Sequence, residues 1–208
     1  MSDETRAETA PEPATIDPEI DRARLRTVAA LHFVMGMGAL TLWGAADAWA
    51  VASGWGLAQA AAIANAIIAA TVIASILHEW GHFAGARLSG SVAPVLKKPV
   101  RYFFMFDFKF EHNDPRQFLW MSAGGILAPW LLVLVIPLLV PIDSASRAML
   151  LAAFVTRAVQ VSVFEVPVFL RTQGGGEPRD ELGRQIKSGF ATSRYAGIAV
   201  GALVWLAA

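Results

Sequence analysis

The chain contains no cysteine. That excludes disulfides and thiolate metal sites and leaves histidine and carboxylates as the available metal ligands. Histidine is scarce as well, four in 208 residues, so two of them a helical turn apart stand out. Charged residues make up only 16% of the chain and cancel to a formal net charge of zero. Nothing in that balance offers an electrostatic footprint for nucleic acid. Apolar residues fill the gap: 55% of the chain is hydrophobic and the mean hydropathy is +0.49. Such a composition belongs to multi-pass membrane proteins.

A bilayer core of ~30 Å takes about 20 mostly apolar residues to cross as a helix. Four runs meet that length: Thr27 to Val51, Gly56 to about Ala86, Phe118 to Val140 and Ala148 to Leu170. A fifth, Gly189 to Ala208, is interrupted by Arg194. The fold class expected is an all-α membrane bundle of five helices. Ahead of it, residues 1–26 read as a disordered tail; the stretch from Met1 to Asp21 is acidic, holds Pro11, Pro13 and Pro18, and has no apolar stripe. It lacks the basic start and apolar core of a secretory signal peptide. Residues 27–208 form the membrane-embedded domain.

Positive charge gives the set an orientation. The tail carries Arg6, Arg22, Arg24 and Arg26, and the second connection carries Arg87, Lys97, Lys98, Arg101, Lys109 and Arg116. The fourth carries Arg171, Arg179, Arg184 and Lys187, whereas the first and third hold only Arg147. The positive-inside rule then puts the N-terminus in the cytoplasm and the C-terminus outside, in a cell (inner) membrane. Trp43, Trp49, Trp55 and Trp205 fall near the outer boundary, where amphipathic rings act as anchors. Between the second and third spans, Phe104, Phe106, Phe108 and Phe110 alternate with polar or flexible residues over Arg101 to Glu111. That period of two predicts an interfacial β-strand or hairpin. Its bland role is to cover the domain; its functional one is to pair by its edge with an extended peptide.

The second span ends in His78-Glu79-Trp80-Gly81-His82. Histidines four apart share one face of a helix and can bind one zinc ion. A glutamate beside the first is placed to take a proton from water that the metal has acidified. Ionisable residues within a span are expensive, and three within five positions point to function.

With its continuation Phe83-Ala84-Gly85-Ala86-Arg87 and Gly90, this segment resembles the zinc motif of the site-2 proteases, a family of intramembrane metalloproteases. The resemblance implies His78 and His82 as zinc ligands and Glu79 as general base. It also implies a third ligand, an aspartate beyond an Asn-x-x-Pro segment. Phe164-Glu165-Val166-Pro167 stands in the place of that segment and Arg179-Asp180-Glu181 in the place of the aspartate, so the implied ligand is Asp180. Gly174 to Gly176 would let the chain turn back toward the metal. Two positions depart from the family pattern: Phe164 replaces its asparagine and Glu181 its glycine. Residue chemistry keeps another acid open. Glu165 lies within an apolar span and could bind the zinc or pair with Arg157, while Pro178 followed by two acids also reads as a plain helix start. Ser122 to Ala128 resembles the family's small-residue segment without its proline and asparagine; helix packing is its expected role. His32 and His112 have no partner at ligand spacing.

The function expected is zinc-dependent hydrolysis of a peptide bond in or near a membrane-spanning segment of a protein substrate. A proteolytically inactive membrane protein that keeps the zinc core as a binding or regulatory module is the alternative, supported by the departures at Phe164 and Glu181. A transporter would want acids spread through the spans, and only Asp47, Glu79 and Glu165 qualify.

Overall fold

A computed structural model describes residues 17–101 and 103–208; the expectation of a disordered tail over residues 1–16 lies outside them. The chain forms five helices and one hairpin: α1 Pro18–Ser53, α2 Gly56–Leu88, β1 Val95–Val100, β2 Phe104–Phe106, α3 Pro115–Leu139, α4 Ala145–Gln173 and α5 Pro178–Ala207. All five helices are long and apolar enough to cross a membrane. They run further than the apolar runs alone, because the caps set their ends. Asp17 accepts from the backbone N–H groups of Glu19 and Ile20, and Pro18 occupies the first turn, where its missing N–H costs nothing. Helix α1 therefore begins inside the stretch read as tail. Helix α5 begins at Pro178 with Asp180 and Glu181 in its first turn, well before Gly189. Gly54, in the left-handed region at φ 65°, ends α1 in the conformation that favours glycine.

Helix α2 is central and packs against α1, α3 and α4, while α5 packs chiefly on α4. Its buried face is alanine: Ala58, Ala62, Ala66, Ala69, Ala70 and Ala74 are all essentially inaccessible. Small side chains let helices approach until their backbones touch, the main source of helix association where lipid removes the hydrophobic drive. The outward faces are greasy, as at Leu134, Leu138 and Leu139. On α5, Gly189, Ser193, Gly197 and Gly201 form the buried stripe. Arg194 lies off that stripe, exposed, so its charge does not interrupt the packing. Of the four tryptophans read as anchors, Trp43 departs from that role. It is buried, and its indole N–H donates to Ser146 Oγ at 3.0 Å. Trp49 and Trp55 are exposed.

The hairpin expected between α2 and α3 is present, antiparallel, with a register irregularity between Val95 and Val100. Strand β2 is only three residues long. Past it, Asp107 and Lys109 still donate to the carbonyls of Pro94 and Val92, and Asn113 clamps both backbone groups of Val92. Phe108 and Phe110 leave the ladder and pack on Phe118 of α3. The outer edge of β1 is closed by α1: the Val95 N–H donates to Asp21 Oδ1 at 2.7 Å, and Arg24 donates to the Val95 carbonyl at 3.1 Å. The edge of β2 carries no further strand among the described residues.

Candidate metal centre

Four residues apart on α2, His78 and His82 project from one face, their ring centroids 4.4 Å apart. Each ring is held from behind by a carbonyl of α3. His78 Nδ1 lies 3.0 Å from the Gly125 oxygen, and His82 Nδ1 lies 3.0 Å from the Met121 oxygen. A carbonyl only accepts, so each Nδ1 carries the proton and each Nε2 of a neutral ring is left with its lone pair. Both Nε2 atoms face Glu165 of α4, at 3.1 and 3.2 Å from its Oε1. One ligand atom from each of the three residues fits within 4.8 Å. The other carboxylate oxygen of Glu165, Oε2, is buried and has no hydrogen-bond partner among the described residues. Glu79 is also buried, with Oε1 4.0 Å from His78 Nε2.

The sequence of α3 explains how its carbonyls reach the histidines. A helical carbonyl normally bonds the N–H four residues on. For Gly125 that residue is Pro129, which has no N–H to give. The Gly125 oxygen is thereby free for His78. Contact between α2 and α3 is backbone on backbone at Gly81 and Gly124: a Cβ on either would overlap the carbonyl of the other. A Cβ on Gly125 would overlap the His82 ring itself. The small-residue segment Ser122 to Ala128 thus packs the helices, as expected, and in doing so brings the orienting carbonyls to the imidazoles. That second role had a sequence signal, a glycine four residues before a proline within a span.

Asp180 is elsewhere. It is exposed on the first turn of α5, outside the group formed by His78, His82 and Glu165. Neighbouring residues on a helix point about 100° apart, and here the inward position belongs to Glu181. Glu181 is buried and accepts from Arg171 Nε at 2.6 Å and from Arg184 at 3.0 Å. The glycine link does turn the chain back, with Gly175 at φ 97°, but what it returns to α4 is the Glu181 clamp. Glu165 makes no ion pair with Arg157, whose guanidinium bonds Gln160 and Ser75 instead. His32 is buried against the motif and accepts from Trp80 Nε1 at 3.0 Å; it and His112 lie outside the three-residue group.

No family model, curated protein or solved structure matches the chain.

The hairpin and its exit segment cover this region. Met105 and Val95 pack with Phe83 of α2. Phe106, Phe108 and Phe110 pack against a buried cluster that includes Met121 of α3 and Val168 of α4. Arg179 at the start of α5 pairs with Glu111 and lies over the Phe110 ring. A backbone hydrogen bond and that arginine together hold the Glu111 carboxyl below its ordinary range.

Proposed function

We propose that the chain is a zinc-dependent endopeptidase acting on a peptide bond in or near a membrane-spanning segment of another protein. The supporting observation is the convergence of His78 Nε2, His82 Nε2 and the Glu165 carboxylate. Three lone-pair donors aimed at one point repel unless a cation lies among them. Two extra protons would answer the repulsion by making two imidazolium rings 4.4 Å apart, a like-charge pair. One divalent ion satisfies all three donors, and the orphaned Glu165 Oε2 adds a further acceptor. Two imidazoles and a carboxylate without thiolates suit zinc, with room for a fourth ligand. We therefore propose His78, His82 and Glu165 as the ligand set in place of the Asp180 that the family resemblance implies.

Bound there, the ion supplies Lewis acidity, acidifying water and polarising a carbonyl. The chain's own residues do the rest. Buried Glu79 takes a proton from the attacking water and delivers it to the leaving nitrogen. The water oxygen bonds to the carbonyl carbon, the C–N bond breaks, and a carboxylate and an amine leave. Carbonyls of Gly125 and Met121 keep both imidazoles in the tautomer and orientation that ligation needs. The β2 edge can align an extended substrate strand. By the charge pattern of the connections, the N-terminus lies in the cytoplasm and the centre near the cytoplasmic face of a cell (inner) membrane.

The test is purification in detergent with zinc quantified and cleavage of a model transmembrane substrate measured. Glu79→Gln should keep its zinc and lose cleavage. Full cleavage by that variant would refute the reading, whereas a wild type that binds zinc and cleaves nothing would favour the inactive binding module.

A further inference from the structure

Arg157 sits within α4, in the apolar interior, and has no carboxylate partner among the described residues. Its Nη1 donates to Gln160 Oε1 at 2.8 Å and its Nη2 to Ser75 Oγ at 3.3 Å. Its Nε is buried with no hydrogen-bond partner among the described residues. A guanidinium in a membrane span is costly, and such groups usually pair with an acid or serve a ligand. Here two neutral partners take one N–H each, and the fork of five donors is left mostly unused.

Its position says which ligand. Contacts of α2 with α4 run in the same order along both helices, Ser75 with Arg157 and His82 with Glu165, so the two helices run parallel. Ser75 and Glu79 are four apart on one face of α2, roughly 6 Å along the axis. The guanidinium therefore stands about one turn from Glu79, on the membrane-interior side of the metal centre, and both Glu79 and Glu165 act on it electrostatically. A substrate segment lying along α2 and α4 would meet the general base and this cation in succession.

The geometry points to Arg157 as an anion subsite of the metal centre: it takes the carbonyl oxygen of the bound peptide as the C=O electron pair moves onto that oxygen. This rests on the peptidase reading above. Fixed donors aimed at developing charge in a dry site are among the strongest catalytic devices. An arginine that forms no direct ion pair among the described residues is suited to the task because its donors are not taken up by a carboxylate.

The test uses full-length, zinc-loaded protein in detergent, in a Glu79→Gln background that leaves substrate intact. Its two probes are a peptide phosphinate, a tetrahedral anion in place of the scissile amide, and the same peptide with the amide. Arg157→Met should weaken the phosphinate by about 10- to 100-fold, the worth of a hydrogen bond to a charged group, and the amide by less than about threefold. Arg157→Lys, which keeps charge without the fork, should fall between. Zinc content and Tm should hold in Arg157→Met, where a similar-sized apolar side chain replaces an unpaired buried charge, and in Arg157→Lys, which keeps the charge in place. Equal losses for the two probes, no loss, or no preference for the phosphinate in the parent would overturn the inference. So would a fall in zinc content or Tm in both variants, which would assign Arg157 to folding. If the wild-type zinc enzyme cleaves no membrane substrate, the peptidase reading falls and the assignment of Arg157 falls with it; cleavage together with equal losses for the two probes overturns the assignment alone.

Discussion

Replacing Gly125 by alanine puts a methyl group where the His82 imidazole lies, since an ideal Cβ at that position overlaps three atoms of the ring. Two effects of opposite sign compete. Removing a glycine from a helix interior gains about 0.5–1 kcal/mol. Overpacking costs about 1–3 kcal/mol, and the ring can escape only by giving up its bond to the Met121 carbonyl, about 1 kcal/mol more. The cost wins, and it falls on a proposed ligand. We expect Gly125→Ala to lower the Tm and to weaken zinc by about 10–100-fold, the usual penalty for losing the partner that orients a metal-binding histidine. Gly38→Ala is the control: it is helical, with nothing within 4 Å of an added Cβ, and should hold or raise the Tm with zinc unchanged. The assay is zinc competition against a chelator in detergent, with thermal unfolding followed in parallel. If Gly125→Ala bound zinc like wild type, His82 would not be seated against Gly125 and the proposed ligand geometry would fail.

Glu165→Gln should lose most of its zinc and Asp180→Asn should keep it; the opposite pattern, read by metal analysis of purified protein, would return the third ligand to Asp180. Pro129→Ala restores an N–H opposite the Gly125 carbonyl and gains up to ~3 kcal/mol of helix propensity, against about 1–2 kcal/mol for the methylenes removed from this buried site, so the Tm should rise. Zinc affinity should fall less than about tenfold, because a carbonyl has two lone pairs and can serve both donors; an unchanged or lower Tm would refute the account of Pro129. Glu181→Ala leaves Arg171 without its 2.6 Å partner and should cost roughly 1–3 kcal/mol. Thermal unfolding of that variant should show it with zinc content intact, and full stability would mean that the clamp does not hold α4 to α5.

Much of this protein is legible from its residues in order. Bilayer thickness imposes a length on any spanning segment, and an apolar run of that length has few alternatives to a helix. Five spans could therefore be counted without coordinates. Alternation of phenylalanines marked the hairpin because period two is a local property, and the four-residue spacing of His78 and His82 places them on one face for the same reason. Helix ends were less legible: hydropathy dims where Asp17–Pro18 and Glu177–Pro178 begin α1 and α5, yet caps and prolines start a helix regardless of its polarity.

What tertiary structure alone decided concerns partners far apart in the chain. Glu165 and Asp180 are both acids beyond the motif, and no local pattern says which returns to residues 78 and 82. The choice follows from where α4 lies against α2 and from Glu181 taking the inward position on the first turn of α5. Of the two carbonyls behind the histidines, that of Met121 was equally hidden, because a backbone atom leaves no residue type to read, and that of Gly125 left only the proline four residues on as its mark. Both became acceptors for the imidazole N–H groups only once Gly81 and Gly124 let two backbones touch. Local spacing determined the histidine pair and the helix that carries it. Helix packing, which joins residues some 40 to 80 positions apart, decided which acid faces the pair and how both rings are oriented.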